Sequence, residues 1–298
     1  MIEGNMIGVI AALGSAISWS VGALLFTRLG ESLSSFAMTL VKGGISVLLL
    51  GIPALLLGGF SDMDAYEYYY LAISGVLGIA ISDTFFFSAL KEVGARAVVL
   101  LTTSGQIFTL LLAVVLLKER LPIDGWISIA LIILGIAIGI LPSSSPQRKT
   151  SLKGIVFGFI SVLSMSISVI LMKKGLEGTP TLYATFIRML AGTSGMFLTG
   201  IITFRLKKWV MPFRNTTLIL QFAIAVCVIT FGGFWLAIVA FKYTSVAIAN
   251  SLISMEPIFI IPLSAIFLKE KITFQAVIGA AMAVTGVIFL CASGAVMG

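Results

Sequence analysis

Long apolar runs of about 20 residues follow one another along this chain, separated by short segments that contain charged residues, glycine or proline. A helix needs roughly 20 apolar residues to cross a bilayer, where every backbone amide must find a partner within the protein. Each run therefore predicts a membrane-spanning helix. The ten runs lie near residues 6–27, 36–58, 68–90, 97–117, 123–141, 154–172, 183–204, 216–241, 246–268 and 274–292. The pattern predicts an all-α membrane protein with ten transmembrane helices.

The ten predicted spans fall into two groups of five. The segment "PSSSPQRKTSLK" at 142–153 is polar and rich in serine and proline, which is typical of a loop. It separates a first five-helix repeat, 1–145, from a second five-helix repeat, 146–298. Both repeats are expected to belong to one multi-pass unit.

The two halves resemble each other in sequence. Lys42 and Arg188 are 146 positions apart, and both are basic residues inside the second span of their half. "LLKERL" at 116–121 matches "FLKEKI" at 267–272 with an offset of 151. Because five is an odd number, the second copy must enter the membrane from the opposite side, so the repeat is inverted. Inverted repeats are common in secondary transporters, although duplication could also have built nothing more than a larger bundle.

Composition agrees with a multi-pass protein of the cell membrane. Of the 298 residues, 59 % are hydrophobic and 10 % are charged, whereas a soluble domain carries about 25 % charged residues. The net charge of +7 comes from Lys and Arg scattered between apolar runs, which indicates topology signals and no nucleic-acid partner. Histidine is absent, and Cys227 and Cys291 lack metal-ligand spacing. We expect no metal and no cofactor.

The stretch "SMEPIF" at 254–259 places a carboxylate and a helix breaker in the middle of the ninth predicted span. An ionised Glu256 is costly at that depth unless it is paired, hydrated or protonated. Pro257 removes one backbone hydrogen bond and crowds the carbonyl oxygen of Ile253, so it predicts a helix break. We therefore predict that Glu256 contacts substrate or a proton in a cavity at the membrane midplane. The alternative is that Glu256 bonds a neighbouring helix and only fixes packing.

Further candidates lie inside the predicted spans. The predicted substrate-binding residues are Glu256, Gln106, Asn250, Trp19, Phe86 and Trp235. The predicted gating or ion-coupling residues are Glu256, Asp83, Lys42 and Arg188. Asp83 could instead form a structural ion pair, and the two cations, expected near opposite membrane faces, could snorkel to water. The three aromatic residues could equally be ordinary packing residues.

The segment "MEPIFIIPLSAIFLKEKITFQAVIGAAMAVTGVIFL" resembles the closing segment of the EamA family, within the drug/metabolite transporter superfamily. "LKERLPIDGWISIALIILGIAI" repeats the pattern more weakly at the end of the first half. The resemblance implies ten helices in two inverted five-helix repeats and movement of small metabolites, often outward. One departure is that the first copy has Gly105-Gln106 where the second has Glu256-Pro257, so only one half carries the acid.

The charge distribution and the resemblance predict opposite membrane orientations. Most loop Lys and Arg fall on the side opposite both termini, so the positive-inside rule places both termini outside. The resemblance implies cytoplasmic termini. Gly135 with Gly139, and Gly154 with Gly158, permit close helix contact more readily within one chain than between chains, which fits a monomer and leaves the oligomeric state open.

The leading hypothesis is a transporter, not an enzyme, that moves small amphipathic metabolites, amino acids among them, by alternating access. Its partners would be a small-molecule substrate and the lipid bilayer. The alternative is a polytopic membrane enzyme that acts on lipid-linked substrates, but the sequence offers no nucleophile with an adjacent base. A scaffold or sensor would need a soluble module, and the loops are too short for one.

Overall fold

The computed structural model describes residues 2–29, 33–57, 63–118, 122–140, 151–256, 258–259, 262–263, 266 and 274–292. These residues are almost entirely helical, and they contain no strand. The helices are α1 (Ile2–Leu29), α2 (Ser35–Leu57), α3 (Ala65–Gly75), α4 (Thr84–Leu116), α5 (Ile123–Ile140), α6 (Leu152–Lys174), α7 (Thr181–Ile202), α8 (Leu206–Val210), α9 (Thr216–Cys227), α10 (Leu236–Tyr243), α11 (Val246–Ile253) and α12 (Phe274–Ala292).

Polar side chains begin several of these helices. Ser151 accepts a hydrogen bond from the backbone of Gly154 at the start of α6, and Ser245 accepts one from Ile248 at the start of α11. Asn215 accepts two backbone hydrogen bonds at the start of α9. These caps satisfy amides that have no partner within the helix, so the local sequence fixes where these three helices begin.

Six helical stretches of the described chain are long and apolar enough to cross a membrane. They are Met6–Phe26, Ser35–Leu57, Ala65–Ala89, Leu152–Lys174, Thr181–Ile202 and Thr216–Tyr243. Six of the predicted spans are thereby confirmed, each within about four residues. The protein is therefore an all-helical, multi-pass membrane protein, and the total of ten spans stays a prediction.

Helix α4 differs from the prediction because one helix covers the junction between the predicted third and fourth spans. Before that junction, α3 and the residues that follow it run antiparallel to α6, since Ser74 bonds Ser168 and Ser82 bonds Ser161. Near its end, α4 runs parallel to α6, because a Cβ on Gly105 would contact Val162 and Thr109 bonds Ser166. The chain therefore reverses its direction relative to α6 between Ser82 and Gly105, as two separate spans would require.

Two π-helical segments interrupt otherwise regular spans. The first π segment, Val76–Asp83, connects α3 to α4, and the second π segment, Val228–Trp235, connects α9 to α10. Wider turns of this kind within α-helices are often found at functional sites. When the residue numbers of the first π segment are increased by the offset of 151, they differ by one from those of the second.

Equivalent helices of the two halves pack against each other in antiparallel pairs. In α2 and α7, Gly43 lies against Thr193 and Gly51 lies against Phe186, so residue numbers rise on one helix as they fall on the other.

The α5–α12 pair is reciprocal. A Cβ on Gly135 would lie 2.6 Å from the carbonyl oxygen of Gly279, and a Cβ on Gly286 would lie 2.9 Å from that of Ser128. Gly135 and Gly286 are 151 positions apart, and so are Ser128 and Gly279. The contact is therefore the same one made twice, as a local two-fold axis requires.

Candidate functional site

A buried ion pair lies inside the first half. The ammonium group of Lys42, on α2, bonds a carboxylate oxygen of Asp83, at the end of the first π segment. Lys42 is 2 % exposed and Asp83 is 7 % exposed. Lys42 is the eighth residue of α2, which places its backbone roughly 10 Å along the helix at 1.5 Å per residue. The pair lies well inside the bundle, where each charge requires the other.

Aromatic rings from both halves surround the Lys42 ammonium group. Its nitrogen lies 4.8 Å from the ring centroid of Phe234 and 6.0 Å from that of Phe87. Both distances are within the range of cation–π attraction. Phe234 also makes an edge contact with Trp19, with ring centroids 4.8 Å apart. The Lys42 cation and the Asp83 acid therefore lie beside one group of rings. This group, made of Phe87, Phe234 and Trp19, is the aromatic wall.

Arg188, on α7, reaches the same region from the second half. It is 6 % exposed, donates to the Ser168 hydroxyl at 3.0 Å and contacts the Met172 sulfur. A Cβ on Gly78, in the first π segment, would lie 3.2 Å from one guanidinium nitrogen. The same π segment ends at Asp83. Two cations and one acid therefore share this buried centre.

The snorkelling alternative for Lys42 and Arg188 is wrong, because both side chains are buried within the protein. The expectation that the two cations lie near opposite membrane faces stays a prediction. Lys42 bonds Asp83, and Arg188 lies against the first π segment, which ends at Asp83. The reason is the antiparallel contact of α2 with α7, which brings the inner halves of both helices to the first π segment. The expected structural pairing of Asp83 with a basic residue does occur.

Glu256 is held through its backbone. Its carbonyl oxygen accepts a hydrogen bond of 2.8 Å from the Ser20 hydroxyl on α1, next to Trp19. Helix α11 ends at Ile253, and Ser254 and Met255 form a turn before Glu256. Within the described ranges, the Glu256 carboxylate has no hydrogen-bond or ion-pair partner. The bond that the structure describes at this point is therefore made by the backbone of Glu256 and not by its carboxylate.

The hydrogen bond to Glu256 has a counterpart in the other half. The Ser166 hydroxyl donates to the carbonyl oxygen of Gly105 at 3.3 Å. Ser20 and Ser166 are 146 positions apart, and Gly105 and Glu256 are 151 apart. Equivalent serines therefore hold equivalent backbone positions, one bearing a carboxylate and the other bearing no side chain.

A second repeated bond joins each half to the other. Ser15 donates to the carbonyl oxygen of Gly233 at 2.8 Å, and Ser161 donates to that of Ser82 at 2.9 Å. The donors Ser15 and Ser161 are 146 positions apart, and the acceptors Ser82 and Gly233 are 151 apart. These bonds attach both π segments to the first helix of the opposite half.

Four other predicted residues lie in different surroundings. Phe86 packs beside Phe87, with ring centroids 5.7 Å apart, at the edge of the aromatic wall. The indole of Trp235 donates to the Thr181 hydroxyl at 3.1 Å, at the start of α7. Asn250 lies on α11, half-buried, and its carbonyl oxygen accepts the amide of Ser254. Gln106 is within α4.

Two parts of the prediction fall outside the described residues. The position of Pro257 is not described, nor is the side chain of Gln106. The proposed helix break and the proposed amide contact with substrate therefore stay predictions.

Sequence reasoning missed three residues of the site, namely Phe234, Ser20 and Ser168. A signal for Phe234 was present, because the offset of 151 makes it the counterpart of Asp83. Both lie against Lys42. The serines carried no signal of their own, since a single serine in an apolar helix commonly bonds its own backbone.

Comparison with known proteins gives matches to transporters over most of the chain. The model of the EamA-like transporter family matches residues 6–141 and again residues 152–292. An uncharacterized transporter of Archaeoglobus fulgidus is 23 % identical over 287 residues, covering 96 % of this chain and 98 % of that protein. An uncharacterized transporter of Clostridium kluyveri is 23 % identical over 220 residues, covering 73 % and 70 %.

A solved crystal structure has the same fold. It matches with a TM-score of 0.74 at 17 % identity, and the match covers 97 % of this chain and 96 % of that chain. At this identity the likeness concerns the fold alone.

Proposed function

Because the chain belongs to the EamA-like transporter family, we propose that it moves small amphipathic metabolites across the cell membrane by alternating access. Amino acids are among the candidate substrates, and outward movement is the proposed direction. No covalent chemistry is involved. Binding would occur at a midplane cavity beside Lys42, Asp83 and Arg188, with Trp19 and Glu256 as further contacts.

The observation that carries this proposal is the buried charge centre between duplicated, antiparallel helices. Charged side chains are costly inside a membrane protein and mark substrate or ion pathways. Lys42 and Arg188 come from equivalent helices of opposite direction; Lys42 bonds Asp83, and Arg188 lies against the π segment that ends at Asp83. Transporters with inverted repeats place their binding sites at such a junction.

The finer architecture belongs to the same proposal. We propose ten transmembrane helices in two inverted five-helix repeats, divided near residue 145. Three observations support it, namely the reversal of the chain between Ser82 and Gly105, the reciprocal contact of α5 with α12, and the serine bonds related by the sequence offsets. The two π segments are suitable hinges, because they lie between the charge centre and the first helix of the opposite half.

Glu256 has the role of a substrate or proton contact in this account. Its backbone is anchored by Ser20, while its carboxylate lacks a partner within the described ranges. A carboxylate that only fixed packing would bond a neighbouring helix. The turn at Ser254 and Met255, which ends helix α11 before Glu256, resembles the interrupted helices from which transporter sites are built.

The test is a flux assay with purified protein in proteoliposomes. A panel of labelled metabolites is offered outside, and the vesicle contents are then identified by mass spectrometry. The proposal expects saturable accumulation of at least one unaltered solute compared with empty vesicles. Conversion of a lipid-linked compound without solute movement would favour the membrane enzyme instead.

A further inference from the structure

The charge centre contains more positive than negative charge. Lys42 and Asp83 neutralise each other in a direct ion pair. Arg188 has no carboxylate of the described residues within 4.0 Å of its nitrogen atoms. A buried charge without a counter-ion is strongly disfavoured unless something neutralises it. One positive charge at this centre is therefore unpaired within the described chain.

The guanidinium group of Arg188 also has unused hydrogen-bonding capacity. It carries five N–H donors, yet its described partners are a serine hydroxyl and a thioether sulfur, both uncharged. Its Nε atom is buried and has no hydrogen-bond partner within the described ranges. Gly78 presents no side chain toward the group. The donors of Arg188 are thus available to an acceptor that the described chain does not supply.

The other half shows that the helix contact does not require this charge. Ser168 and Gly22 are 146 positions apart, and Gly78 and Ile229 are 151 apart. The contact between Gly22 and Ile229 is therefore the counterpart of the contact between Ser168 and Gly78. That contact is apolar, and the counterpart of Arg188, which is Lys42, already has its acid. The polar surroundings of Arg188 are therefore peculiar to one half and are not part of the duplicated frame.

We propose that the Arg188 guanidinium binds a carboxylate of the transported molecule. This inference rests on the proposed transport function and specifies its substrate class. A planar guanidinium matches a carboxylate with two parallel hydrogen bonds. A carboxylate supplies the counter-charge that Arg188 lacks among the described residues, whereas a phosphate group carries about −1.5 to −2 near neutral pH, more than one guanidinium neutralises. The Ser168 hydroxyl, already bonded to Arg188, can remain as a neutral neighbour.

The experiment measures binding separately from movement. Purified full-length protein in detergent is melted while its four tryptophans are followed by fluorescence. The probes are amino acids and simple monocarboxylic acids, each paired with its own primary amide, together with inorganic phosphate. We expect at least one acid to raise Tm in a saturable manner, and its amide to have no effect.

Variants assign the effect to Arg188. Arg188→Gln should abolish the response, and Arg188→Lys, which keeps the charge without the fork, should weaken apparent affinity roughly 10- to 100-fold, as for a lost charge-assisted hydrogen bond. Arg205→Gln, at an exposed arginine before α8, is the matched control and should respond like the native protein.

Several results would overturn the inference. These are equal stabilisation by acid and amide, a response to phosphate alone, no response to any acid, or an unchanged response in Arg188→Gln. The comparison of acid with amide in the native protein decides the matter even if Arg188→Gln does not fold. Because melting reports binding and the flux assay reports movement, failure of this inference is distinguishable from failure of the transport proposal.

Discussion

Ser20 and Ser166 occupy equivalent places in the two halves and make the same bond, but the residues they hold differ. Ser20 bonds the carbonyl oxygen of Glu256, and Ser166 bonds that of Gly105. The bond itself is indifferent to the side chain, because it is made to the backbone. Duplication could therefore preserve the frame while one copy acquired a carboxylate.

The charge centre shows the same division between frame and chemistry. Lys42 and Arg188 are equivalent cations, and Asp83 and Phe234 are equivalent positions at the ends of the π segments. The acid is present in one half alone, so it pairs with Lys42, while Phe234 offers that ammonium group a ring face. Arg188 is left with uncharged partners. Repeated bonds thus mark structural positions, and departures from the repeat mark candidate chemistry.

The largest effect is expected from breaking the ion pair that one half alone contains. Lys42→Met leaves the Asp83 carboxylate buried without its direct partner, which costs about 3–5 kcal/mol of unfolding free energy. Thermal melting of the purified protein measures the loss, with exposed Lys208→Met as the control. A Lys42→Met protein as stable as the native one would show that the pair contributes nothing.

A smaller effect, confined to transport, is expected at Glu256. Glu256→Gln keeps the backbone bond to Ser20 but removes the charge, so transport should fall roughly 10- to 100-fold, the loss expected for one charge-assisted hydrogen bond. Melting temperature should hardly change. Glu177→Gln, at an exposed glutamate between α6 and α7, serves as the control. Unchanged transport in Glu256→Gln would remove Glu256 from the site.

The smallest effect sharpens the comparison of the two serines. Ser20→Ala and Ser166→Ala should each cost about 1 kcal/mol of stability, the typical value of one hydrogen bond. Ser20→Ala should also slow transport, because it frees the backbone that positions Glu256. Ser166→Ala should leave transport near the native rate. Equal transport losses in both variants would mean that the two halves contribute alike.

The sequence predicted the membrane spans better than the contacts among them. Apolar length decides whether a segment can cross a bilayer, and Leu152–Lys174 and Thr181–Ile202 could be located on that ground alone. Pairing depends on how helices rotate and approach each other, which apolar periodicity does not specify in a membrane. The ion pair of Lys42 with Asp83 was therefore one possibility among several. The contact of Arg188 with the first π segment was not predicted.

The internal repeat also carries information about single positions. Applied to single residues, the offsets relate Glu256 to Gly105, which accept equivalent serine bonds, and Asp83 to Phe234, which both lie against Lys42. A polar residue whose counterpart is apolar or glycine is thus a useful signal within a duplicated chain. Trp235 shows the limit of reasoning from residue type, since its indole bonds Thr181 at the start of α7.

Exchange of solute across proteoliposomes tests alternating access most directly. Vesicles are preloaded with an unlabelled solute that the protein transports, and a trace of the labelled solute is added outside. A single site that faces each side in turn predicts that internal solute accelerates entry of the label, which transiently rises above its equilibrium level. Label entry that is indifferent to internal solute, with no such overshoot, would contradict the account.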